Sequence, residues 1–224
     1  MSTDSDLRLL PAGDRALLLA PGGHDDLAGI VDVLRGAELP GMADFLPAAE
    51  TVLVTLDADA DAGAVERALR GLLADPAPTA SVADDRAEAV THDRSADEVT
   101  IEVRYDGPDL EDVARLLGIG VDDVIAEHTG RVWRCRFIGF AAGFGYLESD
   151  RPGLSVPRRD SSRTAVPRGA VALADGYSAV YPRRSPGGWQ LIGTTDAALW
   201  DLDRPHPALL SPGTRVRFVD GGAE

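Results

Sequence analysis

No lysine occurs anywhere in the 224 residues, and all 22 basic side chains are arginine. That absence excludes a Schiff-base lysine, a P-loop phosphate lysine and a lysine general base from this chain. Any ATP chemistry belongs to another polypeptide or to a site of a different kind. The lone cysteine, Cys135, excludes an internal disulfide and a thiolate zinc cage. His24, His92, His128 and His206 are scattered, with no His-x-x-x-His spacing and no carboxylate cluster beside them, so no metal site is expected. No apolar run approaches a bilayer span, and Met1 to Asp6 is polar and acidic with no apolar signal core. The expectation is a cytoplasmic protein with no membrane contact.

The formal net charge of −15 argues against a nucleic-acid binder, because phosphate binding draws on an excess of basic side chains. The charge is uneven. Residues 1–97 carry 19 acidic and 7 arginine side chains, whereas residues 98–224 carry 18 and 15. An acidic half, read as a solvated surface or as a docking face, is joined to a nearly balanced one.

The chain length suits two ordinary domains, each with its own core. In the first, Leu7 to Leu10 and Ala16 to Ala20 are short apolar runs split by the turn residues Pro11 to Asp14. Leu27, Ile30, Val31 and Leu34 recur at helical spacing, Thr51 to Leu56 is a β-branched strand, and Val65, Ala68, Leu69 and Leu72 mark a second helix. Strand, helix, strand, helix and a further strand predict a small ferredoxin-like α+β domain over 1–80. Residues 81–97, rich in Asp and Ala and without apolar period, read as a linker, with His92 solvated in it.

The remainder, 98–224, predicts a mainly β domain with two helices. Val99 to Tyr105 alternates as a strand, and Gly107-Pro108-Asp109 starts a helix buried through Leu110, Val113, Ala114 and Leu117. Val121, Val124, Ile125 and His128 fall on one face of a second helix that Gly130 ends. Along Arg131 to Ile138, alternation places Trp133, Cys135 and Phe137 on one side and Arg134 and Arg136 on the other, which makes Cys135 a small buried hydrophobe.

Two features suggest chemistry. Arg158, Arg159, Arg163 and Arg168 stand within eleven residues, and planar guanidinium groups suit carboxylates, carbamates or phosphates; the plainer reading pairs them with Asp150, Asp160 and Asp175. In Ser185-Pro186-Gly187-Gly188-Trp189, adjacent glycines allow backbone N–H groups to approach an anion, or else simply make a tight hairpin. Trp189 is a core or an interface anchor. His128, at a helix C-terminus, is either a proton donor favoured by the dipole or a core histidine.

GFAAGFGYL (139–147), PRRDSSRTAVPRGAVALA (157–174) and YPRRSPGGWQLIGTT (181–195), preceded by GPDL (107–110) and VI-x-x-H (124–128), resemble the KipI family, whose members are also known as B-type subunits of 5-oxoprolinase or as the first subunit of allophanate hydrolase. The resemblance implies a cyclophilin-like β-barrel for 98–224. It implies an ATP-dependent 5-oxoprolinase complex, formed with a KipA-like partner (the C-type subunit) and a LamB/YcsF-like partner (the A-type subunit), that acts on a small carboxylate or amide. Its alternatives are a carboxyltransferase-type component of a urea-carboxylase-like system and a histidine kinase inhibitor. It further implies His128 and Arg163 as catalytic residues, with Phe144, Arg158, Ser185, Gly187, Gly188 and Trp189 binding substrate or partner; no cofactor is expected in this chain, and ATP only in the complex. Ala142 and Gly145 stand where the family usually has proline, which frees that loop's backbone.

Overall fold

The computed structural model describes residues 7–22, 24–74, 98–149 and 151–222. The expected linker at 81–97, His92 within it, Met1 to Asp6 and Asp150 lie outside the described residues. The chain divides into two compact units, Met1–Val90 and Thr91–Glu224.

In the first unit the order is β1 (Arg8–Pro11), β2 (Ala16–Ala20), α1 (His24–Arg35), β3 (Met42–Pro47), β4 (Val52–Leu56) and α2 (Ala62–Ala74). The four strands form one sheet in the order β1-β2-β4-β3, and every neighbouring pair is antiparallel. Val52, Val54 and Leu56, alternate residues of β4, face the same core as Leu27, Ile30 and Leu34 of α1 and Val65 and Leu69 of α2. The order is thus ββαββα, not the single alternation expected. The strand that escaped notice is β3, whose sequence MADFLP has no β-branched residue, a charge at its centre and no fully buried position.

The second unit holds β5 (Glu98–Val103), α3 (Leu110–Leu117), α4 (Val121–Thr129), β6 (Trp133–Ile138), β7 (Gly145–Glu148), β8 (Arg163–Val166), β9 (Ala170–Ala174), β10 (Tyr177–Val180), β11 (Ser185–Gly187), β12 (Gln190–Thr194) and β13 (Arg215–Asp220). Seven strands run in the order β12-β9-β10-β7-β6-β13-β5. Just past β5, Arg104 and Thr194 exchange both backbone hydrogen bonds at 2.8 Å, which brings the two edges of the sheet together into a nearly closed barrel. Strands β8 and β11 form a separate two-stranded ribbon.

At β9 both faces of the barrel wall are apolar. All five of its residues are buried, but Val171 and Leu173 join the core shared with Leu110, Val113 and Ala114 of α3 and Val124 of α4, while Ala170, Ala172 and Ala174 join a second core with Phe144, Tyr181 and Trp189. A strand covered on both sides reads as one continuous apolar run. Alternation breaks on β6. There the register with β7 shifts between Cys135, opposite Leu147, and Phe137, opposite Tyr146, so Phe137 turns to the other face and stacks on Tyr146 at 4.2 Å. A single extra residue in one strand inverts every side chain after it, so Phe137 does not share a side with Trp133 and Cys135 as alternation had implied. Cys135 itself is buried, and burial pushes its thiol up to about 12.

Candidate functional site

The site begins where the chain leaves β5. Gly107 lies against β12 so closely that a Cβ there would sit 2.3 Å from the Leu191 carbonyl oxygen, and only glycine permits this approach. The Gly107 N–H donates to the Ile192 carbonyl at 3.2 Å and the Asp109 N–H to that of Leu191 at 3.0 Å. Asp109 is thereby inserted, 2% exposed, beneath β12. It occupies the N-cap of α3, yet its carboxylate makes no cap bond. Instead Oδ2 accepts the Leu191 N–H at 2.7 Å, while Oδ1 accepts Arg159 Nη1 and Arg163 Nη2, each at 2.7 Å. Two guanidinium groups share one carboxylate, which leaves the cluster one positive charge in excess within a chain of net charge −15. Arg159 Nε and Arg163 Nη1 are buried and have no partner.

The ribbon of β8 and β11 sets Gly187 opposite Arg163. Beneath Gly187 lies the Tyr181 hydroxyl, 2.3 Å from where a Cβ would stand, and a Cβ at Gly188 would meet Ser162 Oγ at 2.9 Å. The Gly188 carbonyl accepts the Arg159 N–H at 2.7 Å, and the Trp189 N–H donates to the Tyr181 oxygen. The glycine pair is therefore a packing device that lets Tyr181 and the loop before β8 close on the ribbon. Replacing Gly187 with alanine is expected to destabilise this unit by about 1–3 kcal/mol, the usual cost of overpacking. Trp133, Trp189 and Trp200 all belong to this unit, so tryptophan fluorescence during urea unfolding measures it selectively. A change below about 0.5 kcal/mol, the range of ordinary surface substitutions, would show that Tyr181 simply swings aside.

Phe144 and Trp189 are 1% and 5% exposed and meet edge to face at 5.6 Å, with Tyr146 and Tyr181 against them. Both are core residues beneath the site and do not present a surface. Burial raises both tyrosine hydroxyls above their ordinary range, so they act as neutral hydrogen-bonding groups. Ser185 Oγ is buried and unpartnered. Arg158 is largely exposed and paired with Asp175 at 2.9 Å, the plainer of its two readings.

His128 stands apart from this cluster. It is fully buried in the first barrel core, its Nδ1 is 2.8 Å from the Tyr105 hydroxyl and its Nε2 is 2.9 Å from Ser178 Oγ, and it stacks on Phe218 at 4.3 Å. Burial, assisted by the Arg131 charge, lowers its pKa to about 3. A proton donor favoured by the helix dipole is thus not what the fold makes of this residue; desolvation outweighs the dipole. Asp109 and Tyr181 are the site residues that sequence reading did not select, and Arg159 was noted there only as one of four clustered arginines. Asp109 carried one usable signal, an acid between Gly-Pro and an apolar helix, but its partners lie 50, 54 and 82 residues away. Among the described residues no group of three or more His, Cys, Asp or Glu is placed to hold a metal ion.

Comparison with known proteins places this geometry. The chain is 42% identical over 118 residues to the B-type subunit of 5-oxoprolinase from Haemophilus influenzae, a match covering 53% of this chain and 55% of that one. It is 44% identical over 113 residues to the B-type subunit of 5-oxoprolinase from Escherichia coli O157:H7, covering 50% and 52%. The matches span about half the length of these curated relatives. The crystal structure of TTHA0988 superposes with a TM-score of 0.71 at 33% identity, over 94% of this chain and 40% of that one. That of the K. lactis urea amidolyase superposes with a TM-score of 0.73 at 17% identity, over 98% and 15%, a likeness of fold. The family model described as carboxyltransferase domain, subdomain C and D, matches residues 7–210, and the chain belongs to that family.

Proposed function

We propose that this chain is the B-type subunit of an ATP-dependent 5-oxoprolinase, converting 5-oxoproline to glutamate together with a KipA-like C-type subunit and a LamB/YcsF-like A-type subunit. The observation that carries the reading is the 42–44% identity to two proteins named as B-type subunits of 5-oxoprolinase. The site supports it chemically, since an arginine pair with excess positive charge suits a substrate that carries a carboxylate. ATP is assigned to the partner chains, because this chain has no lysine to hold a nucleotide phosphate. We read the ββαββα unit as a ferredoxin-like sheet entered at a different strand and the barrel as cyclophilin-like, on the strength of their strand orders. A second reading, a carboxyl-transfer component of a urea-carboxylase-like system, is favoured by the family description itself.

The test is co-expression of this chain with its KipA-like and LamB/YcsF-like partners and an assay of ATP-dependent glutamate release from 5-oxoproline. Activity is expected only with all three present, and Arg163→Ala is expected to lower kcat/KM at least tenfold. An assembled, folded complex without this activity, but consuming urea with ATP, bicarbonate and biotin, would establish the second reading in its place.

A further inference from the structure

We propose that Arg159 and Arg163, locked side by side on Asp109, form a seat for one carboxylate group of a small molecule, and that Asp109 is the residue that positions them. This deepens the reading of the chain as part of a 5-oxoprolinase and rests on it for the choice of ligand.

The stoichiometry of charge and of donors carries the inference. Each guanidinium spends one nitrogen on Asp109 Oδ1, at 2.7 Å. Of the nitrogens not bonded to Asp109, Arg159 Nε and Arg163 Nη1 are both buried and unpartnered. Buried donors on charged groups are rarely left unmade in a protein, and where they remain they point to something that binds there. The two side chains are 31% and 23% exposed, so the cluster is reached from solvent on one side while its unused nitrogens are sheltered. Two cations on one anion leave one positive charge, which a monoanion neutralises; a phosphate dianion would leave a negative charge in its place. One buried, unpartnered nitrogen on each of two planar groups matches the two oxygens of a carboxylate. A guanidinium free to rotate would lose this match. Asp109 prevents that rotation, being itself fixed by the Leu191 N–H at 2.7 Å and by the close approach of Gly107 to β12.

Isothermal titration calorimetry on the full chain, with 5-oxoproline, acetate and the neutral lactam 2-pyrrolidone as probes, tests the seat. Wild type is expected to bind 5-oxoproline and, more weakly, acetate, and to ignore 2-pyrrolidone. Arg159→Gln and Arg163→Gln are each expected to weaken binding at least tenfold. Arg159→Lys, which keeps the charge on Asp109 but removes the Nε donor, is expected to weaken it comparably. Arg217→Gln, which breaks a surface pair with Glu98, is expected to change nothing. Tryptophan fluorescence confirms that each variant is folded. Unchanged affinity in the folded Arg159 and Arg163 variants overturns the seat, as does a wild type that binds neither carboxylate or binds 2-pyrrolidone equally well. Acetate binding that depends on both arginines, without any binding of 5-oxoproline, upholds the seat and overturns the 5-oxoprolinase reading. Undiminished hydrolysis of 5-oxoproline by a complex carrying Arg159→Gln and Arg163→Gln does the reverse.

Discussion

Asp109→Ala is expected to destabilise the barrel unit by about 3 kcal/mol or more, the cost of removing one partner from a buried ion pair. A small domain has a total stability of about 5–15 kcal/mol, so the change takes a large share of it. Three losses add. The Leu191 N–H, buried in β12, loses its acceptor, and the Arg159 and Arg163 cations lose the charge that holds them together. Their mutual repulsion is then opposed only by the solvent that reaches them. No capping bond is lost, since Asp109 makes none, and the α3 N-terminus keeps Glu111 and Asp112 in its first turn. Single arginine changes are expected to cost less, because Asp109 keeps one guanidinium and the N–H. The measurement is urea unfolding followed by tryptophan fluorescence, completed by a double-mutant cycle of Asp109→Ala with Arg163→Ala. A loss under about 1 kcal/mol with no coupling would place the cluster among ordinary surface pairs and remove the basis for its positioning role.

What the sequence made legible depended on how local the cause was. TVLVTL announced β4 because β-branched residues on a half-buried sheet leave a pattern within six positions. Helices α3 and α4 were legible for the same reason, with Gly118 at φ +71° ending the first as glycine ordinarily does. Strands β8 and β11 were not: RTAV and SPG are too short and too polar to alternate, and Pro186 argues against a strand interior. The GFAAGFGYL block read as one loop, yet its last residues form β7, paired to β6 through the bulge that turns Phe137. The candidate site lay in stretches that sequence reading singled out, but only part of it was built from the residues selected there. Arg163 was selected for its chemistry and is held by an acid that looked like the start of a helix. The glycine pair was selected for what it could expose, and its lack of side chains also makes room for Tyr181 and Ser162. Motif reading reports which residues share a stretch, whereas charge pairing across 50 or more positions is fixed only when the barrel closes.

His128 supplies the second large effect, and its sign follows from burial. In the folded chain its pKa is lowered to about 3 from an ordinary value of 6.5, chiefly by desolvation and secondarily by Arg131. Between those values the unfolded chain carries a proton that the folded chain refuses. Stability due to this group is therefore complete above about pH 6.5 and falls as pH drops toward 3, at up to roughly 1.4 kcal/mol per pH unit. From pH 6.5 to pH 5 the loss is expected to be about 1.5–2 kcal/mol by the same linkage, before most carboxylates begin to titrate. The neutral ring suits its surroundings, since one nitrogen accepts and one donates and the Tyr105 and Ser178 hydroxyls can each do either. His128→Gln retains an acceptor and a donor but no titrating group, so its barrel is expected to be less stable at pH 7 and flatter with pH. Urea unfolding of both proteins by tryptophan fluorescence at pH 7, 6 and 5 measures the difference in slope. Parallel curves would mean that the ring reaches water and titrates normally, and would reopen its reading as a proton donor; converging curves fix it as part of the barrel's interior.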